Sequence, residues 1–236
     1  MFESVSSTVM ILFKRYAYVS LIVPSLLLWV GYLSFDWFGM HTLSAFFTVF
    51  FMFVVYGFMD LVVGRDPSNP TDDLLPKMNA DRLYDFYLLI CLPLYAATLI
   101  WGATVFVDHP DLSPLARFGW ALSVGSVGTI LAVTAGHELV HRDSQFERVC
   151  GGVLLSMVCY GGFKIEHVRG HHVNVATPED KSTAVLGQSL YHFIPRAVYS
   201  NFMSAWRVEA RRLRAEGHSP FSLRNEMTWW TALSIS

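Results

Sequence analysis

Long uncharged runs alternate with short polar breaks along this chain. Tyr16–Phe35 is twenty residues without a charge, enough for a helix of about 30 Å, the thickness of a bilayer's hydrocarbon core. Asp36–His41 interrupts it. Thr42–Met59 is a second apolar run, crowded with Phe46, Phe47, Phe50, Phe51, Phe53, Tyr56 and Phe58, and closed by Asp60. Gly64–Pro76 is rich in Pro, Asp and Asn and predicts a loop. Phe86–Val107 and Phe118–Gly136 are further spans, separated by a turn at Asp108–Pro114. Val149–Phe163 is apolar but only fifteen residues long, about 22 Å as a helix, which predicts a re-entrant or interfacial segment. Tyr191–Glu216 is amphipathic: Phe193, Ile194, Val198, Phe202, Trp206, Val208 and Leu213 are its apolar members, and Arg207, Arg211, Arg212 and Arg214 mark a basic end. It predicts a cytoplasmic helix lying along the headgroups. Met227–Ser236 is uncharged and reads as the start of a further span. The expected fold is all-α. It is a polytopic membrane helical bundle with four full transmembrane helices, one re-entrant or interfacial helix, one cytoplasmic amphipathic helix and the opening of another span, in a single integral-membrane domain over residues 1–236.

Composition agrees. The chain is 53% hydrophobic and 15% charged, against about a quarter charged in soluble domains. The net charge of −2 does not suggest a nucleic-acid partner. Cys91, Cys150 and Cys159 show no CxxC spacing, so neither a disulfide framework nor an iron–sulfur cluster is indicated. The first apolar run is too long for a signal peptide and lacks a fitting cleavage site. Lys14 and Arg15 precede the first span. Arg65, Lys77 and Arg82 lie between the second and third, and Arg142, Arg148, Lys164 and Arg169 follow the fourth. Only Arg117 stands in the opposite loops, against Asp36, Asp108 and Asp111. The positive-inside rule then places the N-terminus, the Gly64–Pro76 loop and the stretch His137–His172 in the cytoplasm.

The chemistry concentrates in one window. The fourth span runs into Gly-His-Glu-Leu-Val-His-Arg, with His137, Glu138 and His141, and Glu-His-Val-Arg-Gly-His-His follows, with Glu166, His167, His171 and His172. Five of the nine histidines fall here. Residues four apart share a helix face, so His137 pairs with His141 and His167 with His171, while His172 is turned about 100° further. This is more than one tetrahedral zinc needs. It suits two adjacent ions of a metal that accepts nitrogen ligands, and iron is such a metal. His192 and His218 stand alone, without a partner at ligand spacing.

His137-Glu-Leu-Val-His141-Arg, followed by Glu166-His-Val-Arg-Gly-His-His-Val-Asn-Val-Ala-Thr-Pro-Glu-Asp180, closely resembles the integral-membrane alkane monooxygenases, relatives of xylene monooxygenase and, more distantly, of the membrane fatty-acid desaturases. The Val-Ala-Thr-Pro-Glu-Asp tail favours the alkane branch. Asp60–Pro70 and Gly187–Glu226 are similar to that family's loop and cytoplasmic helix. The resemblance implies a di-iron, O2-dependent hydroxylase of terminal carbons of medium- to long-chain alkanes, in the bacterial inner membrane. Its substrate would come from the bilayer and its electrons from rubredoxin and rubredoxin reductase. It also implies His137, His141, His167, His171 and His172 as metal ligands, with Glu138 as the catalytic carboxylate beside them. Members of that family carry further histidine motifs nearer their C-terminus, so the chain reads as a C-terminally truncated fragment, expected to bind iron weakly on its own.

The chemistry fits without the family. An alkane C–H bond offers no polar handle for acid–base residues, so a redox metal must do the difficult step. Other readings of the same residues are a desaturase or aryl-methyl hydroxylase, a membrane zinc protease with Glu138 as general base, and an inactive remnant.

Overall fold

The computed structural model describes residues 7–64, 72 and 75–236, all helix, turn and loop, with no strand among them. Most of the Asp60–Pro70 loop therefore lies outside the described residues. The chain divides into two compact units, Met1–Leu131 and Ala132–Ser236.

Three helices among the described residues are long and apolar enough to cross a membrane: α1 (Leu12–Phe35), α3 (Arg82–Asp108) and α4 (Pro114–Val140). At 24, 27 and 27 residues they exceed the ~20 that a bilayer requires. The expected second span is different. It splits into a short helix, His41–Ala45, and α2, Phe47–Val63, an apolar helix of seventeen residues, shorter than the other three. The break has a cause: the Ala45 carbonyl accepts a hydrogen bond from the Ser123 hydroxyl at 2.7 Å instead of continuing the helical ladder.

The first unit is packed by aromatic rings. Trp29 stacks on Trp101 with centroids 4.0 Å apart, and Trp101 meets Trp120 edge-on at 5.6 Å. The fully buried Trp120 donates its indole N–H to the Gly102 carbonyl at 2.8 Å. This is how a large ring with one polar atom is buried without loss. Asp81 caps α3 by accepting from the Leu83 N–H, and Ser113 caps α4 by accepting from the Ala116 N–H.

The second unit carries the histidines. It begins inside α4 and continues with α5 (Gln145–Met157), a helical stretch α6 over 163–174, α7 (Leu190–Ala215) and α8 (Glu226–Ile235). The thirteen residues of α5 are too few to cross a bilayer, as its short apolar run predicts. Gly136 and Gly151 allow α5 to lie close against the end of α4. A Cβ at Gly151 would stand 2.9 Å from the Gly136 carbonyl oxygen and 2.9 Å from Leu139 Cβ. The chain then reverses through 158–162 with Cys159 at φ 57°, and α6 returns. Ile165, Ala205 and Met227 form the buried core between α6, α7 and α8, with Trp206, Val208 and Trp230 packed around it.

Candidate metal centre

The end of α4 supplies the first histidine pair. One α-helical turn separates His137 and His141, and their rings lie 5.0 Å apart, edge to face. The second set comes from α6, which is not uniform. Residues His167–His171 form a π turn, and the His172 N–H bonds back to the His167 carbonyl five residues earlier. Such a turn is wider than an α turn and sets residue i+5 over residue i. His172 therefore reaches His167, with ring centroids 4.5 Å apart, while the His171 ring stays stacked on His167, on the face that α-helical spacing predicts.

Ligand atoms of His137, His141 and His167 all lie within 4.8 Å of one another, and His172 joins them through His167. The Nε2 of His167 lies 2.7 Å from that of His137, 3.1 Å from that of His141 and 3.1 Å from that of His172. His167 is itself 7% exposed. A neutral imidazole carries one N–H and one lone pair, so His167 Nε2 cannot satisfy three such neighbours by hydrogen bonding. Protonation offers no relief. Burial, with the charges that His137, His172, His141 and His171 would carry, pushes the His167 pKa down to about 3. His141 is lowered as well, by burial first and then by His137 and His172. What satisfies several neutral imidazoles aimed at one point is a cation. Two nitrogens each ~2.1 Å from one ion and at right angles lie ~3.0 Å apart, close to the spacing found. The donor set fits a nitrogen-accepting transition metal.

His171 is placed differently. Its ring stacks on His167 at 5.3 Å, and its Nδ1 meets both carboxylate oxygens of Asp180 at 3.0 Å. Asp180 is 4% exposed. Burial raises its pKa, but hydrogen bonds from Thr183, His171 and the Ser182 N–H outweigh this and hold the carboxyl below its ordinary range. An ionised carboxylate only accepts. His171 must then carry its hydrogen on Nδ1, which leaves Nε2 free as a donor atom, the tautomer that a carboxylate partner selects in metal sites. In the sequence Asp180 stands out only as the end of the Val-Ala-Thr-Pro-Glu-Asp tail. The signal was a carboxylate set just past the Pro178 break.

Other residues shape the site. Phe163 stacks on His167 at 4.4 Å, and Tyr160 stacks on Phe163. Asn201 on α7, itself buried, donates to the Tyr160 hydroxyl at 3.0 Å and to Ser182 at 3.1 Å. Glu166 is buried beside Gly170, where an added Cβ would come 2.6 Å from Glu166 Oε1. Burial raises the pKa of this carboxyl against a hydrogen bond from Ser204. Glu138 is half exposed and pairs with Arg142 at 3.5 Å. His192 lies beside Gln188, and His218 accepts from Arg224. Neither joins the cluster.

Comparison with known proteins follows the same residues. The family model described as fatty acid desaturase matches residues 112–236. Alkane 1-monooxygenase 1 of Pseudomonas aeruginosa is 41% identical over 237 residues, which cover 100% of this chain and 62% of that protein. Alkane 1-monooxygenase 2 of the same organism is 39% identical over 239 residues, and alkane 1-monooxygenase 2 of Alcanivorax borkumensis is 38% identical over 240. Each alignment takes in 99% of this chain and 62% of the relative, so the chain spans less than two thirds of the length of these curated relatives. The family match starts ahead of the first histidine motif and runs past the second to Ser236, more than a chance motif could produce: the chain belongs to the fatty acid desaturase family.

Proposed function

We propose that the chain takes part in O2-dependent hydroxylation of the terminal carbon of medium- to long-chain alkanes, at a di-iron site in a single integral-membrane hydroxylase domain. Rubredoxin and rubredoxin reductase supply the electrons, and the alkane enters from the bilayer. The observation that carries this reading is the convergence of the Nε2 atoms of His137, His141, His167 and His172 at the end of a membrane-length helix. Similarity to proteins named alkane 1-monooxygenase along the whole chain supports the substrate class.

His137, His141, His167 and His172 would hold the metal, and His171 would add the Nε2 that its bond to Asp180 leaves available. Bound iron supplies the O2-activating redox chemistry that an unactivated C–H bond demands. The protein's part is placement. Asp180 fixes the His171 tautomer, and Phe163 covers one face of His167 and keeps water from it. Glu138 acts as a carboxylate near the site, tied to Arg142. The distribution of Lys and Arg supports an inner-membrane protein with both motifs on the cytoplasmic side.

The test is metal content and turnover of the chain spliced in place of the aligned stretch of the Pseudomonas aeruginosa relative. Iron in the purified protein, with 1-octanol formed from octane when rubredoxin and its reductase are present, is the expected result. Stoichiometric zinc and no octanol would contradict it and favour the protease reading.

A further inference from the structure

The second histidine motif carries two cations as well as its imidazoles, and both reach the same place. Lys164 Nζ lies 2.8 Å from Glu226 Oε2 and 4.6 Å from the centre of the Trp230 ring. Arg169 reaches Glu226 Oε1 at 3.4 Å and Glu209 Oε2 at 3.2 Å. Lys164 and Arg169 are five residues apart, like His167 and His172. One five-residue pair meets on the carboxylates of α7 and α8, and the other in the imidazole cluster.

Glu209 is the node. Its side chain is fully buried. It accepts two hydrogen bonds from Arg212, at 2.5 and 3.0 Å, and one from the Glu226 backbone N–H at 3.1 Å, besides the Arg169 bond. A buried carboxylate with four donors has a fixed position, so whatever it holds is fixed too. Arg212 and Arg169 share this acceptor but do different things. Arg212 also bonds Glu216 and the Arg224 carbonyl, all outside α6. Arg169 belongs to the π turn itself.

We infer that Arg169 and Glu209 are positioning residues for the second histidine motif: their ion pair, flanked by Lys164–Glu226, holds the π turn in the register that sets His172 over His167. An α-helical register here would swing His172 away from the other three nitrogens and break the cluster. That the cluster holds metal rests on the function proposed above; that the pair holds the turn does not.

The experiment compares Arg169→Gln, Arg169→Lys, Glu209→Gln, Arg169→Gln with Glu209→Gln, and Arg212→Gln, each in the full chain in lipid nanodiscs. Two readouts are taken: amide hydrogen exchange over 167–174 in the metal-free protein, and Co(II) titration followed by its visible ligand-field spectrum. Arg169→Gln should speed exchange in this segment, weaken Co(II) binding by about 10–100-fold, the size of an outer-shell loss, and change the spectrum. Arg169→Lys should restore part of both. Arg169→Gln should add little in the Glu209→Gln background, because coupled residues are not additive. Arg212→Gln should lower thermal stability and disturb exchange at 167–174 and the Co(II) spectrum less than Arg169→Gln does, because Glu209 keeps its bonds from Arg169 and the Glu226 N–H. If Arg169→Gln leaves exchange unchanged, or if Arg212→Gln disturbs exchange and Co(II) equally, the inference is overturned. A wild-type chain that binds no Co(II) would contradict the metal reading alone, and the exchange data would still decide the role of the pair.

Discussion

At the scale of single residues, the site separates imidazoles that meet each other from those that do not. His137, His141, His167 and His172 share one small space, so replacing any of them with Ala removes a donor that no neighbour can supply. Each change should abolish or severely reduce metal binding, read as metal per chain by mass spectrometry. Asp180→Asn should act more gently. The amide keeps the shape but no longer forces the hydrogen of His171 onto Nδ1, and a loss of about 10–100-fold in affinity is expected. Glu138→Ala should cost less than any of the four, because its carboxylate faces Arg142. His192→Ala and His218→Ala should leave metal bound, since their rings contact Gln188 and Arg224. Equal loss at His218 and His167 would show that the donor set is wrong.

At the scale of elements, two close approaches build the site, and glycine permits one of them. With its Cβ 2.9 Å from the Gly136 carbonyl oxygen, Gly151→Ala must push α5 off the end of α4, where His137 and His141 sit. Overpacking of this kind costs about 1–3 kcal/mol. Thermal unfolding in detergent should show it, with metal lost in parallel. Gly125→Ala on α4, where nothing lies within 4 Å of the added carbon, is the matched control and should be neutral. The same elements show what spacing could reveal. The His137–His141 pair was legible because α4, after a π stretch at Thr129–Thr134, is α-helical again over Ala135–Val140. The His167–His171 pair is legible in the same way, its rings stacked at 5.3 Å; the approach of His172 Nε2 to His167 is not, because the widened turn that brings it leaves no mark in the residue pattern. The break of the second apolar run was hidden likewise. It depends on a Ser123 hydroxyl 78 positions away from Ala45, whereas the run of phenylalanines reads as continuous.

At the scale of the whole molecule, apolar runs gave the membrane class, the long spans and the all-helical fold, since length and hydropathy decide these without tertiary detail. Sidedness follows from the charged loops and can be tested directly. In a chain whose Cys91, Cys150 and Cys159 are replaced by Ala, a cysteine at Ser113 should react with a membrane-impermeant maleimide from outside, and one at Ser144 should not. The reverse pattern would refute the proposed topology. The central claim is that ring nitrogens from two distant motifs hold iron together. Its most direct measurement is metal content of the membrane-reconstituted chain, for the wild type, His167→Ala and His218→Ala side by side. Iron should be present in the wild type, lost in His167→Ala and retained in His218→Ala; zinc in place of iron, or iron undiminished by His167→Ala, would contradict it.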